Sequence, residues 1–316
     1  YQGSAGIGLI ENWNMNTFPI DFAASDPALR ARVYATPQNY RPWTNFGDIR
    51  LRSNWGHSTF HSGTVKLEKR MSGGLMFSTF YTLSKTIDSQ DTDGSGSGVA
   101  PIQNRGLEKA RAGYDRSHRY VGSVIYELPV GQNKRFLNRG GVWNKIFGGY
   151  EIAWVQTLES GNPLTFGFSN SPNIYYPSWV GSQRPNVNGT PRIRDGWRDL
   201  GGDRFNTINM NPVIESVNLF SYPASFTVGN SGRGIMTGLP LVWSQASAKK
   251  NIRITERFNA QLRLDMTNAL KTWNFNSPST TVDLVNTRTF GKVGSSPLTS
   301  SFGGQPVMNL KLELTW

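Results

Sequence analysis

The sequence predicts an all-β chain: an antiparallel transmembrane β-barrel portion with about eight spanning strands, counted from its alternating segments. Three observations carry this. The first is the last stretch, PVMNLKLELTW (306–316), where Met308, Leu310, Leu312, Leu314 and Trp316 are apolar and Asn309, Lys311, Glu313 and Thr315 between them are polar. A strict period of two marks a strand with one greasy and one wet face. At ~3.4 Å per residue and a tilt of ~40°, its 11 residues cover roughly the ~25 Å apolar band of a membrane barrel. The second is composition. Hydrophobic residues make up only 37% and aromatics 12%, and the mean hydropathy is −0.43. Strands apolar on one side, rimmed by aromatic girdles, have that profile. No run of ~18 apolar residues occurs, so only a closed barrel could cross a bilayer. The third is the alternation of short and long connections along the chain.

In chain order, Tyr1–Glu11 (YQGSAGIGLIE) reads as the end of a strand. Residues 12–58 are loop-rich, with Pro19, Pro27, Pro37 and Pro42, and GDIRLRSN (47–54) alternates as a hairpin arm reaching beyond any membrane. Thr59–Arg70 is a strand with Val65 and Leu67 on one face and Lys66 and Glu68 on the other. MSGG (71–74) is a tight turn whose glycines supply positive φ. Leu75–Ser84 returns, with Leu75, Phe77, Tyr81 and Leu83 sharing a face. A long loop, 85–118, carries the low-complexity stretch DTDGSGSG (91–98). Arg119–Pro129 is a strand with Tyr120, Val124, Tyr126 and Leu128 on one face; a connection, 130–148, leads to Gly149–Ser160, where Tyr150, Ile152 and Trp154 alternate. Residues 161–240 form a large Asn-, Pro-, Gly- and aromatic-rich loop. Leu241–Ile254 and Arg257–Leu270 are strands joined by a turn at Thr255-Glu256, the second with Leu262, Leu264 and Met266 opposite Arg263 and Asp265. A last loop, 271–305, precedes the terminal strand.

With the C-terminus on the periplasmic side, the connections 71–74, 130–148 and 255–256 fall inside and 12–58, 85–118, 161–240 and 271–305 fall outside. Outer-membrane barrels alternate in this way. Only 130–148 is longer than that pattern expects. A soluble sandwich has no reason to send every long loop to one end, and loops of this length are foreign to compact domains.

The chain has no cysteine, which excludes disulfides, thiolate metal sites and a cysteine nucleophile. A net charge of +12 raises nucleic-acid binding. The basic residues are scattered, however, and the nearest cluster, Arg105–Arg119, is broken by Glu108 and Asp115. No nucleic-acid partner is therefore expected; a surface facing anionic lipid headgroups or lipopolysaccharide fits better. Tyr1 opens the sequence without a charged and apolar leader, as expected where a signal has been removed or, the favoured reading, for the back part of a longer protein.

Catalytic patterns are weak, and no enzymatic activity, metal or cofactor is expected. His57, His61 and His118 supply too few ligands for zinc. GNSGR (229–233) misses a nucleophile elbow at its last residue. Asp91 and Asp93 open like a calcium loop without its closing Glu, so a solvated loop is the plainer reading. The charged residues opposite the apolar positions, Lys66, Glu68, Arg263, Asp265, Lys311 and Glu313, are the lumen-facing candidates. They could form a polar wall along which a plug or solute passes, or simply pair across strands, above all between the last two. Met308, Leu310, Leu312, Leu314 and Trp316 are the lipid-facing set. Tyr175, Tyr176, Trp179, Trp197 and Phe205 in the large loop are candidates for stacking on sugars or flat chelates, or for packing the loop on itself. Trp13, Trp43 and Trp55 suit an interface belt.

GDIRLRSNWGHSTFHSGTVKLEKRMSGGLMFSTFYTLSKTID (47–88), YDRSHRYVGSVIYELPVG (114–131) and KNIRITERFNAQLRLDMTNALKTWNF (250–275) together resemble the C-terminal half of Oar-like TonB-dependent outer-membrane receptors. The strand ending in Trp316 fits the same pattern. The resemblance implies a carboxypeptidase-regulatory-like domain and a plug ahead of a 22-stranded barrel, of which residues 1–316 would be a C-terminal part. It implies TonB-dependent uptake of an unidentified solute at the outer membrane. The partners expected are outer-membrane lipid and lipopolysaccharide, the TonB complex through the missing N-terminal part, the solute, and the barrel-assembly machinery at the C-terminal strand. Two alternatives stay open: a surface-binding or adhesin-type barrel without uptake, and a soluble β-rich carbohydrate-binding domain.

Overall fold

The structure is a computed structural model that describes residues 1–19, 21–91, 102–168, 184–196, 213–215, 217–255, 257–284, 287–293 and 306–315. Its frame is eight long strands: β1 (Gln2–Asn14), β2 (Arg50–Ser72), β3 (Leu75–Asp88), β4 (His118–Glu127), β5 (Tyr150–Glu159), β6 (Leu241–Arg253), β7 (Asn259–Thr267) and β8 (Val307–Thr315). They form one sheet in sequence order, every neighbour antiparallel, with the two-residue strand Ala110–Arg111 added beside the end of β3. β1 and β8 each have one partner, so the sheet is open.

Local chemistry explains the joints. Gly73 and Gly74 close the β2–β3 hairpin as a two-residue loop with φ +62° and +80°, and positive φ at both positions is what a type I′ turn demands. The arm expected at 47–54 forms as part of β2, so the loop expected over 12–58 is shorter: β1 runs to Asn14 and β2 starts at Arg50. Two register shifts, between Ile7 and Leu9 and between Leu9 and Glu11, keep the arm paired while re-aiming its side chains. Trp13 is consequently buried, its indole donating to Glu11 at 2.9 Å, and is not an interface residue. Trp43 and Trp55 are exposed, and the Arg105 guanidinium lies 4.1 Å above the Trp55 ring. The 130–148 connection is long because it holds a short helix, α1 (Val142–Phe147).

Alternation delivers two unlike faces. On one, register aligns Val65 and Leu67 of β2 with Tyr81 and Thr79 of β3. It then continues through Tyr120 and Val124, Ile152 and Trp154, and Ala246 and Ala248 to Leu262 and Leu264 against Leu312 and Leu310. Nothing described covers this face at mid-strand; Leu310 is 71% exposed and Leu312 63%. Among the described residues the charged side chains in register on this face stand near strand ends, Lys69 and Lys250 toward the short turns and Lys85 and Arg111 toward the long loops. The soluble-domain pattern, a sheet face closed by a second layer, is absent from the described residues.

The hydrophobic cores lie among the long loops. Leu164, Phe166, Ile214, Phe220, Met236 and Phe290 belong to the larger one, where Phe166 and Phe220 meet with ring centroids 4.7 Å apart. The smaller joins Phe18, Ala23, Val33 and Phe226. It is built on a helix, Pro27–Ala35, whose start is set by the Asp26 carboxylate accepting from Ala28 N and Leu29 N. Asn16 fastens the same region: its amide donates to the carbonyls of Phe46 and Gly47, both at 2.7 Å, and its oxygen accepts from Trp43 N.

Candidate functional site

Two surfaces can meet a solute: the polar face of the sheet and the layer of loops at its long-loop end. All six charged residues singled out in the sequence, Lys66, Glu68, Arg263, Asp265, Lys311 and Glu313, share the polar face. The expected pairing across the last two strands is corrected. Register sets Arg263 opposite Lys311 on β8 and Lys249 on β6, three cations in one row, with Asp265 opposite Asn309. Like charges face each other across the strands, so the carboxylates come from the same strand two residues on, where a period of two returns the chain to the same face. Arg263 Nε lies 2.8 Å from Asp265, Lys311 Nζ 2.9 Å from Glu313 and Lys66 Nζ 2.5 Å from Glu68. Lys249 differs, meeting Glu151 of β5 across the strands at 2.9 Å. Pairing leaves the wall charged in both signs, hydrated and locally neutral. At the short-turn end a groove of about 620 Å³, lined by Asn144, Arg253, Gln261 and Glu313 among others, opens under α1.

The loop layer is held by buried ion pairs that the sequence did not advertise. Asp88, at the loop end of β3, has a side chain 2% exposed and is bound by Arg233, whose other nitrogen reaches Asp91 at 3.0 Å. Arg111 pairs with the buried Asp115 at 3.1 Å, and Asp115 also accepts from Thr86 N at 2.8 Å. Arg184 meets Glu108 at 2.6 Å with both side chains buried. Glu108 and Asp115, which seemed only to interrupt a basic cluster, are thus partners of arginines; their position inside that cluster was the available signal. The near-elbow GNSGR serves packing: a Cβ on Gly229 would collide with the Arg184 carbonyl, and Arg233 is the cation between Asp88 and Asp91. Asp91 is accordingly an ion-pair acceptor and no freely solvated loop residue, and Asp93 lies outside the described residues. At the rim, Arg192 grips Glu215 with two nitrogens and holds its carboxyl below the ordinary glutamate range.

Tyr175, Tyr176, Trp179, Trp197 and Phe205 lie outside the described residues, as does Trp316. The histidines stay apart: His61 Nδ1 is 2.7 Å from the Tyr1 hydroxyl and His118 Nδ1 2.7 Å from the Tyr81 hydroxyl. Among the described residues no three His, Asp or Glu side chains gather as a cation site.

A family model described as an outer membrane beta barrel domain matches residues 1–302. No curated protein and no solved structure matches the chain.

Proposed function

Because the chain belongs to the outer membrane β-barrel domain family, and so resides in the bacterial outer membrane, we propose that it is the solute-passing wall of a TonB-dependent receptor. The observation that carries this reading is the two-faced open sheet. One face is apolar, uncovered, and free of Lys, Arg, Asp and Glu at mid-strand; the other carries paired charges. Placed outward, the apolar face meets hydrocarbon, where a Lys or Arg at mid-depth would cost about 2–4 kcal/mol. Met308, Leu310, Leu312 and Leu314 then face lipid, and Lys66, Glu68, Arg263, Asp265, Lys311 and Glu313 face the lumen. The long loops lie outside the cell and the short turns in the periplasm. Two unpaired edges are unsustainable in lipid, which favours further strands completing a barrel of about 22, the upper part of the family's usual size range. The TonB-dependent element rests on the resemblance of residues 47–88, 114–131 and 250–275. On this reading the chain makes and breaks no covalent bond. Its partners are lipid, lipopolysaccharide, the assembly machinery at β8, a solute, and TonB through segments outside this sequence.

Retention of the full-length protein on the immobilised periplasmic domain of TonB tests the uptake reading. Binding lost on deletion of the segment ahead of the barrel is the expected result. No binding at all would leave the second reading, a surface-binding barrel, which the self-packed loop layer with its own core favours. A soluble carbohydrate-binding domain is set aside by the family membership and the bare apolar face.

A further inference from the structure

The 130–148 connection, the one short-side segment longer than a barrel needs, carries a surface of its own. Val142 is 69% and Trp143 56% exposed, and Phe136, Leu137, Ile146 and Phe147 are exposed beside them. Trp143 and Phe147 stack at 5.9 Å. Between Leu128 and Tyr150 there are four cations, Lys134, Arg135, Arg139 and Lys145, and no Asp or Glu. Lys134 pairs with Glu127 at 3.0 Å; Arg135, Arg139 and Lys145 form no ion pair among the described residues. Apolar side chains exposed beside unpaired cations are unusual for a surface that meets only water.

Where the lobe sits decides what it meets. Lys250 belongs to the apolar face, in register with Tyr150. Its ammonium lies 3.8 Å over the Tyr150 ring and donates to the carbonyl oxygens of Ile146 at 2.5 Å and Gly148 at 3.3 Å. The Tyr150 hydroxyl donates to the same Ile146 oxygen at 3.2 Å. The last turn of α1 is therefore held at the short-turn rim by two side chains of the apolar face, while its Asn144 and Lys145 line the groove beside Arg253, Gln261 and Glu313 of the polar face. The carbonyls at the end of α1 accept from the ammonium and stabilise it there. The exposed aromatic and aliphatic groups of this segment follow in the chain within a few residues of that rim, and the Arg135 guanidinium lies 5.5 Å from the centroid of the Phe136 ring.

We propose that residues 134–147 are an interfacial anchor lying in the headgroup layer of the leaflet at the short-turn end, on anionic phospholipid. Trp143, Phe147, Ile146 and Val142 reach the first acyl carbons, and Arg135 and Arg139 meet the phosphates. This rests on the apolar face meeting lipid, as proposed above, and commits to lipid and not to a protein as the occupant.

The test uses the full-length protein in vesicles of phosphatidylethanolamine and phosphatidylglycerol brominated at shallow or deep acyl positions. The emission lost on Trp143→Phe should be quenched at least twofold more by shallow than by deep bromines. The emission lost on Trp154→Phe, from the middle of the apolar face, should show the reverse order. Arg135→Glu/Arg139→Glu should at least halve the shallow quenching of Trp143 while leaving that of Trp154 unchanged. If aqueous iodide reaches Trp143 and bromines do not, the anchor is overturned; if neither reaches it, a protein covers the lobe and the anchor is likewise overturned. Failure of deep bromines to quench Trp154 would instead sink the outward placement of the whole face.

Discussion

At the scale of single residues, the loop layer depends on carboxylates taken out of water and matched by arginines. Removing one partner of a buried pair strands the other, at a cost of about 3–5 kcal/mol. Arg233→Met should therefore lower the chemical-denaturation stability of the full-length protein in detergent by that order. Asp88→Asn in the same chain should recover part of it, because the stranded charge goes too. The exposed rim pair gives a pH-dependent counterpart. Arg192 depresses the Glu215 carboxyl in the folded state, so the pair's contribution is present above the ordinary glutamate range and is lost as pH falls through the depressed value. Hydrogen exchange of the Arg194 and Glu215 amides, which bond Val213 and Arg192 across this rim, should lose protection in acid beyond the intrinsic rate change. Arg192→Gln should remove that pH dependence. None of these partnerships could be read from sequence, since Asp88 and Arg233 are 145 residues apart. Only the interruption of a basic cluster by Glu108 and Asp115 hinted at them.

At the scale of an element, side-chain parity decides which face of the sheet each residue joins. Leu312 and Asn309 sit on the same strand three residues apart and on opposite faces. A lysine at Leu312 meets hydrocarbon at mid-strand and should cost about 2–4 kcal/mol, whereas Asn309→Lys adds a cation to a wet wall and should cost well under 1 kcal/mol. The folded fraction of each variant, read from heat-modifiable gel migration and urea midpoints, separates them; equal losses would mean the faces are not distinguished. Parity was legible in every strand from its alternation. The ends were not: β1 and β2 stay paired as an arm through Asn14 and Arg50, and β7 stops at Thr267, because pairing partners and bulges set the limits. The helix in the 130–148 connection was likewise hidden, being too short to show a period.

At the scale of the molecule, eight strands in simple meander order leave β1 and β8 as open edges. The chain has no cysteine, so introduced pairs report cleanly. On the proposed reading other strands cover both edges, so cysteines at Gln2 or Ser4 combined with Asn309, Lys311 or Glu313 should form no intrachain disulfide in the full-length protein. A disulfide would instead establish closure as an eight-stranded barrel. The sequence by itself determined the class, the strand count and the two faces, because a period of two and the choice of apolar or polar residue are local properties of the chain. Only the tertiary structure decided which charges face which. That depends on register, and register pairs residues far apart in sequence, turning an expected cross-strand pairing into three cations in a row, two of them answered along their own strands.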